Sequence, residues 1–391
     1  MKKRTSVLLV AIYLLPWGIQ CIIGNYLPIY VDSLSFSTEK TIGYVTALGA
    51  AITALTQLFW AFLARRAKRK NNVLALSLGL LAVFSLLFAI KDVPKIWFFV
   101  FVVLFYSVYM AHQPLIDTIA SETYHKTRFS FGFYRSFASL GYALMPLAFL
   151  ILPSDNTSIF FISAAVLAFF SIFLAIMLPC ETEIRIAKTV EGQSKNVFNP
   201  SFVKFLIYTF VLFFIGSALS SYFPVYYTSE EYLGASLESF NIFVSASAIA
   251  EWLLVMFFAH VIPKLGTKLS FSLIPLFGIL RSLPVYLAPS PAVAAISFIF
   301  NALWFGVLWA SVTPYIKGLV SAEGNVFAQS VWNIVAMGAG SFLGSFVSGI
   351  LTESFGVRNL FLTLAILCAA LAVLTPFLIS KNKESSTSAG G

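Results

Sequence analysis

Five ionisable side chains stand in stretches that are otherwise apolar. Glu251 lies in Ser245-Ala246-Ser247-Ala248-Ile249-Ala250-Glu251-Trp252-Leu253-Leu254, with no other charge within ten residues on either side. Arg281 closes the next apolar block, and Asp117 follows His112-Gln113-Pro114 in an earlier one. Arg135 opens the block after that, eighteen residues beyond Asp117. A charge in hydrocarbon costs at least ~2.5–3.5 kcal/mol on insertion scales, so such groups face a cavity, find a partner and serve a function. The chemistry open to this set is reversible protonation of a carboxylate and electrostatic capture of a polar solute. Glu251 is too deep to reach headgroups by snorkelling. With Arg281 it forms a candidate proton-coupling pair, if consecutive antiparallel helices bring the two together across a cavity; the alternative is a structural ion pair locking those helices. Asp117 and Arg135 can meet across a hairpin to hold a solute, or can be interfacial residues that reach water. His112 is the one histidine of three well inside an apolar block, and an unperturbed pKa near ~6.5 makes it a further proton-carrying candidate; the plain alternative is a hydrogen-bonded packing residue.

The elements that must carry these groups are membrane helices. The 391 residues are 59% hydrophobic and 10% charged, far below the roughly one quarter that covers a soluble domain. Apolar blocks run to roughly 20 residues, enough to cross ~30 Å of hydrocarbon as helix, and lack the alternation of barrel strands. Twelve spans are expected, at 7–31, 41–63, 72–90, 96–120, 131–153, 158–178, 201–225, 238–262, 269–287, 292–316, 327–351 and 359–380. The first is too long and too aromatic for a cleaved signal peptide. The longest break, 180–200, is read as a cytoplasmic linker between an N-terminal six-helix bundle, 1–179, and a C-terminal one, 201–380; residues 381–391 read as a disordered tail.

The net charge of +9 does not mark a nucleic-acid binder, because Lys and Arg gather in alternate loops such as Arg65, Arg66, Lys68, Arg69 and Lys70. That asymmetry predicts cytoplasmic termini in a plasma (inner) membrane protein. Cys21, Cys180 and Cys368 have no ligand spacing, so neither a disulfide framework nor a metal site is expected. The chain has no HExxH, GxSxG or Walker A motif and no catalytic cluster, which argues against an enzyme.

The two halves echo each other. Span one ends Asn25-Tyr26-Leu27-Pro28-Ile29-Tyr30, and 196 residues later span seven ends Ser221-Tyr222-Phe223-Pro224-Val225-Tyr226. Parallel six-helix halves with a solute site between them are the arrangement of major facilitator transporters.

At Pro114-x-x-Asp117, Arg135, Gly141-Tyr142, Glu251 and Arg281 the chain resembles the lactose permease-like branch of the major facilitator superfamily, which includes sugar–, nucleoside– and phenylpropionate–proton symporters. The resemblance implies that Asp117 and Arg135 hold the solute, that Tyr142 stacks on a ring, and that Glu251 and Arg281 serve binding or coupling. It also has departures. The branch's proton-handling histidine and glutamate on span ten fall on Asn301 and Trp304, its span-eleven lysine on Met337, and Trp60, Ala64 and Ala67 interrupt the loop motif after span two. Lactose itself is therefore not expected, and any proton must be held by Glu251, Asp117 or His112.

The expected function is proton-coupled symport of a small polar or amphipathic solute by alternating access. Asp117, Arg135, Gln113, Tyr142, Asn25, Tyr26, Asn301 and Trp304 are the candidate solute contacts, and Glu251, Arg281 and His112 the candidate coupling residues. The expected partners are solute, proton and membrane lipid, not nucleic acid, for a monomer without cofactor. Efflux of hydrophobic compounds, favoured by the apolar span ten, and a non-transporting solute sensor are the alternatives.

Overall fold

The computed structural model describes residues 2–90, 92–129, 131–152, 157–179, 197–321 and 324–380; Cys180, most of the expected linker and the tail lie outside them. The N-terminal half contains α1 (Lys2–Asp32), α2 (Glu39–Arg66), α3 (Lys70–Leu87), α4 (Lys95–Tyr109), α5 (His112–Thr123), α6 (Phe131–Ala148) and α7 (Ser158–Met177). The C-terminal half contains α8 (Pro200–Thr228), α9 (Leu237–Leu265), α10 (Thr267–Leu287), α11 (Pro291–Ala294), α12 (Ile296–Leu319), α13 (Asn325–Trp332), α14 (Ser341–Phe355) and α15 (Val357–Leu378). Eleven helical segments among the described residues are long and apolar enough to cross a membrane. The shorter, more polar α6, which carries Arg135, occupies the place of the fifth expected span.

Local sequence explains where the helices start, break and turn. Thr38 and Thr41 form a capping box at the start of α2, and Asn199 Oδ1 accepts from Phe202 N ahead of Pro200 in α8. The fourth span breaks at Met110–Ala111 because Pro114, four residues on, offers no N–H to the Met110 carbonyl and crowds it. A π-helical stretch, Asn333–Gly340, joins α13 to α14. Gly266 and Gly356, at φ 79° and 77°, allow α9 to turn into α10 and α14 into α15 over a single residue.

The helices pack as two six-helix bundles, and the packing repeats between them. In the first, α1 lies on α6 and α7, α3 on α4 and α7, and α2 on α4. In the second, α8 lies on α14 and α15, α10 on α12 and α15, and α9 on α12. The bundles meet through α2 on α14, α6 on α9, and α1 on α8. The face between them is therefore built from two matching helix pairs with the first helix of each bundle at the centre.

Candidate functional site

In the N-terminal bundle, α1 presents Tyr13, Trp17 and Gln20 at helical spacing toward α5 and α6. The Tyr13 hydroxyl donates to Asp117 Oδ1 at 2.7 Å, and Arg135 Nε lies 3.4 Å from the same oxygen. The Arg135 guanidinium also sits 4.7 Å from the centre of the Trp17 ring and 5.9 Å from that of Tyr13. Asp117 and Arg135, paired across the α5–α6 hairpin as expected, remain 33% and 34% exposed in their side chains, so the pair still meets water in the space beside α1. A pair this accessible contributes little to stability, roughly 0–1 kcal/mol. Gln113 accepts from Gln20 Nε2 at 3.2 Å, extending the polar line along α1. His112 is buried edge-on to Trp17 at 5.8 Å; its ring nitrogens make no aligned hydrogen bond, and only the Tyr109 carbonyl offers a loose one.

Two turns further from the termini, Asn25 Nδ2 donates to the Tyr142 hydroxyl at 2.8 Å. Tyr142 is within electrostatic reach of both Glu251 on α9 and Arg281 on α10, across the junction of the bundles. Among the described residues Glu251 makes no hydrogen bond or ion pair, and Arg281 is near enough to interact with it through charge alone. Arg281 is buried, lies 5.9 Å over the Phe305 ring, and leaves Nη1 without a partner. The expected Glu251–Arg281 encounter is therefore a facing pair rather than a closed salt bridge. Asn301 on α12 donates to Ser247 Oγ at 3.2 Å, one helical turn from Glu251. A cavity of about 170 Å³ in this bundle is lined by Gly216, Ser217, Ser220, Trp304, Phe305 and Ser341 among others.

Two of the expected solute contacts are packed into the helix bundles. Tyr26 is fully buried, donates from its hydroxyl to Asn241 Oδ1 at 2.7 Å, and packs on Phe149 and Phe160. Trp304 is buried against Gly278, so closely that a Cβ at Gly278 would overlap its ring, and it also lines the cavity. Tyr13, Trp17, Gln20 and Ser247 were not singled out in the sequence. The first three had a signal, an i, i+4, i+7 line of polar-tipped side chains in span one.

The bonds between the bundles cluster at the end away from the termini. Besides Tyr26–Asn241, they include Ser245 Oγ to the Ala143 carbonyl at 2.8 Å, the Tyr222 hydroxyl to the Glu39 carbonyl at 2.7 Å, and Tyr232 to Glu39 Oε1 at 3.0 Å. Lys40 and Glu353 form an ion pair at 2.6 Å there. The Tyr232 hydroxyl, in the loop after α8, is raised above its ordinary pKa of 10.0 by burial and by Glu39, and so stays a donor.

Two six-helix bundles with charged and hydrogen-bonding side chains on their shared face define a membrane transporter, not an enzyme. The MFS_1 like family matches residues 7–363, and the chain belongs to it. It is a multi-pass secondary transporter of the major facilitator type. It is 22% identical over 373 residues to the uncharacterized transporter YwbF of Bacillus subtilis (strain 168), covering 93% of this chain and 92% of that one. It is 23% identical over 369 residues to the maltose permease of Geobacillus stearothermophilus, covering 92% and 91%. The crystal structure of nucleoside transporter NupG superposes with a TM-score of 0.82 at 17% identity, over 96% of this chain and 98% of that one.

Proposed function

We propose that the chain carries out proton-coupled symport of a small polar or amphipathic solute, of the sugar, glycoside or nucleoside class. The observation that carries this reading is Glu251: a carboxylate without a bonded partner, at the junction of the bundles, facing Arg281 and the Asn25–Tyr142 pair. An ionised carboxylate there opposes withdrawal from water, and a proton taken with the solute removes that charge. The solute bridges the halves, with Asp117, Arg135, Asn25 and Tyr142 on one side and Glu251, Arg281 and Asn301 on the other. The Tyr142 ring offers a stacking face, and the amides and guanidinium suit ring hydroxyls. The names of two similar proteins, a maltose permease and a nucleoside transporter, support a hydroxyl-rich ring solute. The gathering of Lys and Arg in alternate loops supports cytoplasmic termini, and on that reading the bonded far end is the outside and the conformation is inward-facing.

The test is solute uptake into proteoliposomes, screening sugars, glycosides and nucleosides with external pH recorded, alongside Glu251→Gln. Uptake is expected to carry protons inward. The substitution is expected to abolish accumulation and leave counterflow intact. Accumulation by Glu251→Gln at the wild-type level refutes the coupling role, and export of hydrophobic dyes without accumulation of any of these solutes refutes symport.

A further inference from the structure

The repeated Asn/Ser-Tyr-x-Pro-x-Tyr segments end the first helix of each bundle, and the solute site uses only Asn25 of them. Their tyrosines do the same thing in opposite directions. Tyr26 on α1 crosses to Asn241, the fifth residue of α9. Tyr222 on α8 crosses to the first turn of α2, where its hydroxyl donates to the Glu39 carbonyl and accepts from the N–H of Gly43 at 3.1 Å. Gly43 is the fifth residue of α2. Each first helix thus reaches the same turn of the other bundle's second helix, and both helices start from a hydroxyl cap, Thr38 and Ser236. The residue before each tyrosine differs between the halves: Asn25 bonds Tyr142 on α6 of its own bundle, whereas Ser221 Oγ lies 3.3 Å from Ser345 Oγ on α14 and also donates across to Thr46 Oγ1 on α2 at 3.1 Å.

From this arrangement we propose that Tyr26 and Tyr222 are paired, pseudo-symmetric latches that hold the far end of the transporter shut, and that Asn25 links the first latch to the solute. The proposal rests on the alternating-access reading. Both hydroxyls are donors to groups of the opposite bundle, so both bonds must break when that end opens. The Tyr26–Asn241 bond lies wholly between the bundles, whereas the Tyr222 hydroxyl is also within hydrogen-bonding reach of Thr352 on α14 of its own bundle. Loss of the Tyr26 hydroxyl costs the closed state more than one bond, because Asn241 is 1% exposed and is left buried without its partner. Tyr26→Phe keeps the ring among Phe149, Phe160 and Phe240, so the change falls on the hydroxyl alone.

The experiment uses Ser220→Cys, exposed on the cavity wall, in a chain whose three native cysteines are alanine. Labelling by a membrane-impermeant maleimide is compared in vesicles of both orientations. Tyr222→Phe is expected to raise the ratio of far-side to termini-side labelling by roughly 2- to 12-fold, the range set by one net hydrogen bond, and Tyr26→Phe by roughly 5- to 150-fold, the range set by leaving a buried partner unsatisfied. Adding Asn241→Leu to Tyr26→Phe is expected to return part of that shift, since both polar partners are then gone. An unchanged ratio in both single variants overturns the proposal, and so does reduced yield with an unchanged ratio, which marks the bonds as fold contacts. A double variant that shifts the ratio further than Tyr26→Phe alone overturns the pairing of Tyr26 with Asn241. If the ratio shifts while no solute is accumulated, the latches stand and the symport reading fails.

Discussion

A methyl group at Gly43 tests whether the two bundles are held together by a contact that can open without unfolding either. Added there, a Cβ would sit 2.6 Å from the Ser345 carbonyl oxygen and 2.7 and 2.8 Å from Gly349 Cα and N. These are backbone atoms of α14, so no rotamer change relieves the overlap. Restoring ordinary contact near ~3.5 Å requires α2 and α14 to part by roughly 1 Å. Forcing a methyl into a packed site costs ~1–3 kcal/mol. In Gly43→Ala that cost applies to the closed far end alone, while the gain in helix propensity is common to both conformations and cancels. The equilibrium between the two should therefore move toward far-side opening by about 5- to 150-fold, with both bundles still folded. Gly141→Ala and Gly344→Ala provide the contrast. Their added carbons would overlap the Leu14 and Phe214 carbonyls inside a single bundle, an overlap that alternation cannot relieve. Spin labels at the exposed Ser35 and Glu230 report the far-end separation, and thermal unfolding in detergent reports fold stability. Gly43→Ala is expected to lengthen the distance with little change in Tm, and the other two to lower Tm with little change in distance. If Gly43→Ala instead lowers Tm as much as they do and leaves the distance unchanged, the α2–α14 crossing is part of a rigid core and the reasoning fails.

Arg135→Lys keeps the charge but loses the planar face over Trp17 and the Nε contact to Asp117. Half-saturating solute concentration in uptake should rise about 5-fold, from loss of roughly 1 kcal/mol, with yield unchanged; an unaltered value removes Arg135 from the solute site. Asn71→Ala should destabilise the N-terminal bundle by ~1–3 kcal/mol, because Asn71 Nδ2 bonds the Ala175 and Leu178 carbonyls at the end of α7, at 2.8 and 2.6 Å. A lowered Tm with unchanged half-saturation is expected, and an unchanged Tm counts against that capping role.

Chain length, apolar block length and the absence of alternation determined a twelve-helix membrane protein, because a segment in hydrocarbon must satisfy its backbone internally and its span follows from residue count. Isolated charges determined where to look. Eighteen residues and one turn were enough to bring Asp117 to Arg135, because a short hairpin leaves its two helices little freedom. The rest depended on contacts remote in sequence. Glu251 and Arg281 face each other without bonding because α10 packs chiefly on α12 and α15, and only lightly on α9. Trp304 is pinned by the missing side chain of Gly278, a fit that residue type alone does not announce. Tyr26 was legible as one member of a repeated segment, but its partner, Asn241, lies 215 residues away. A hydroxyl has no preferred acceptor in sequence; which one it meets is set by how the two bundles close. The fold and the identity of the charged residues are thus written locally, and the assignment of each polar side chain to solute, core or closure is written in the packing of one half on the other.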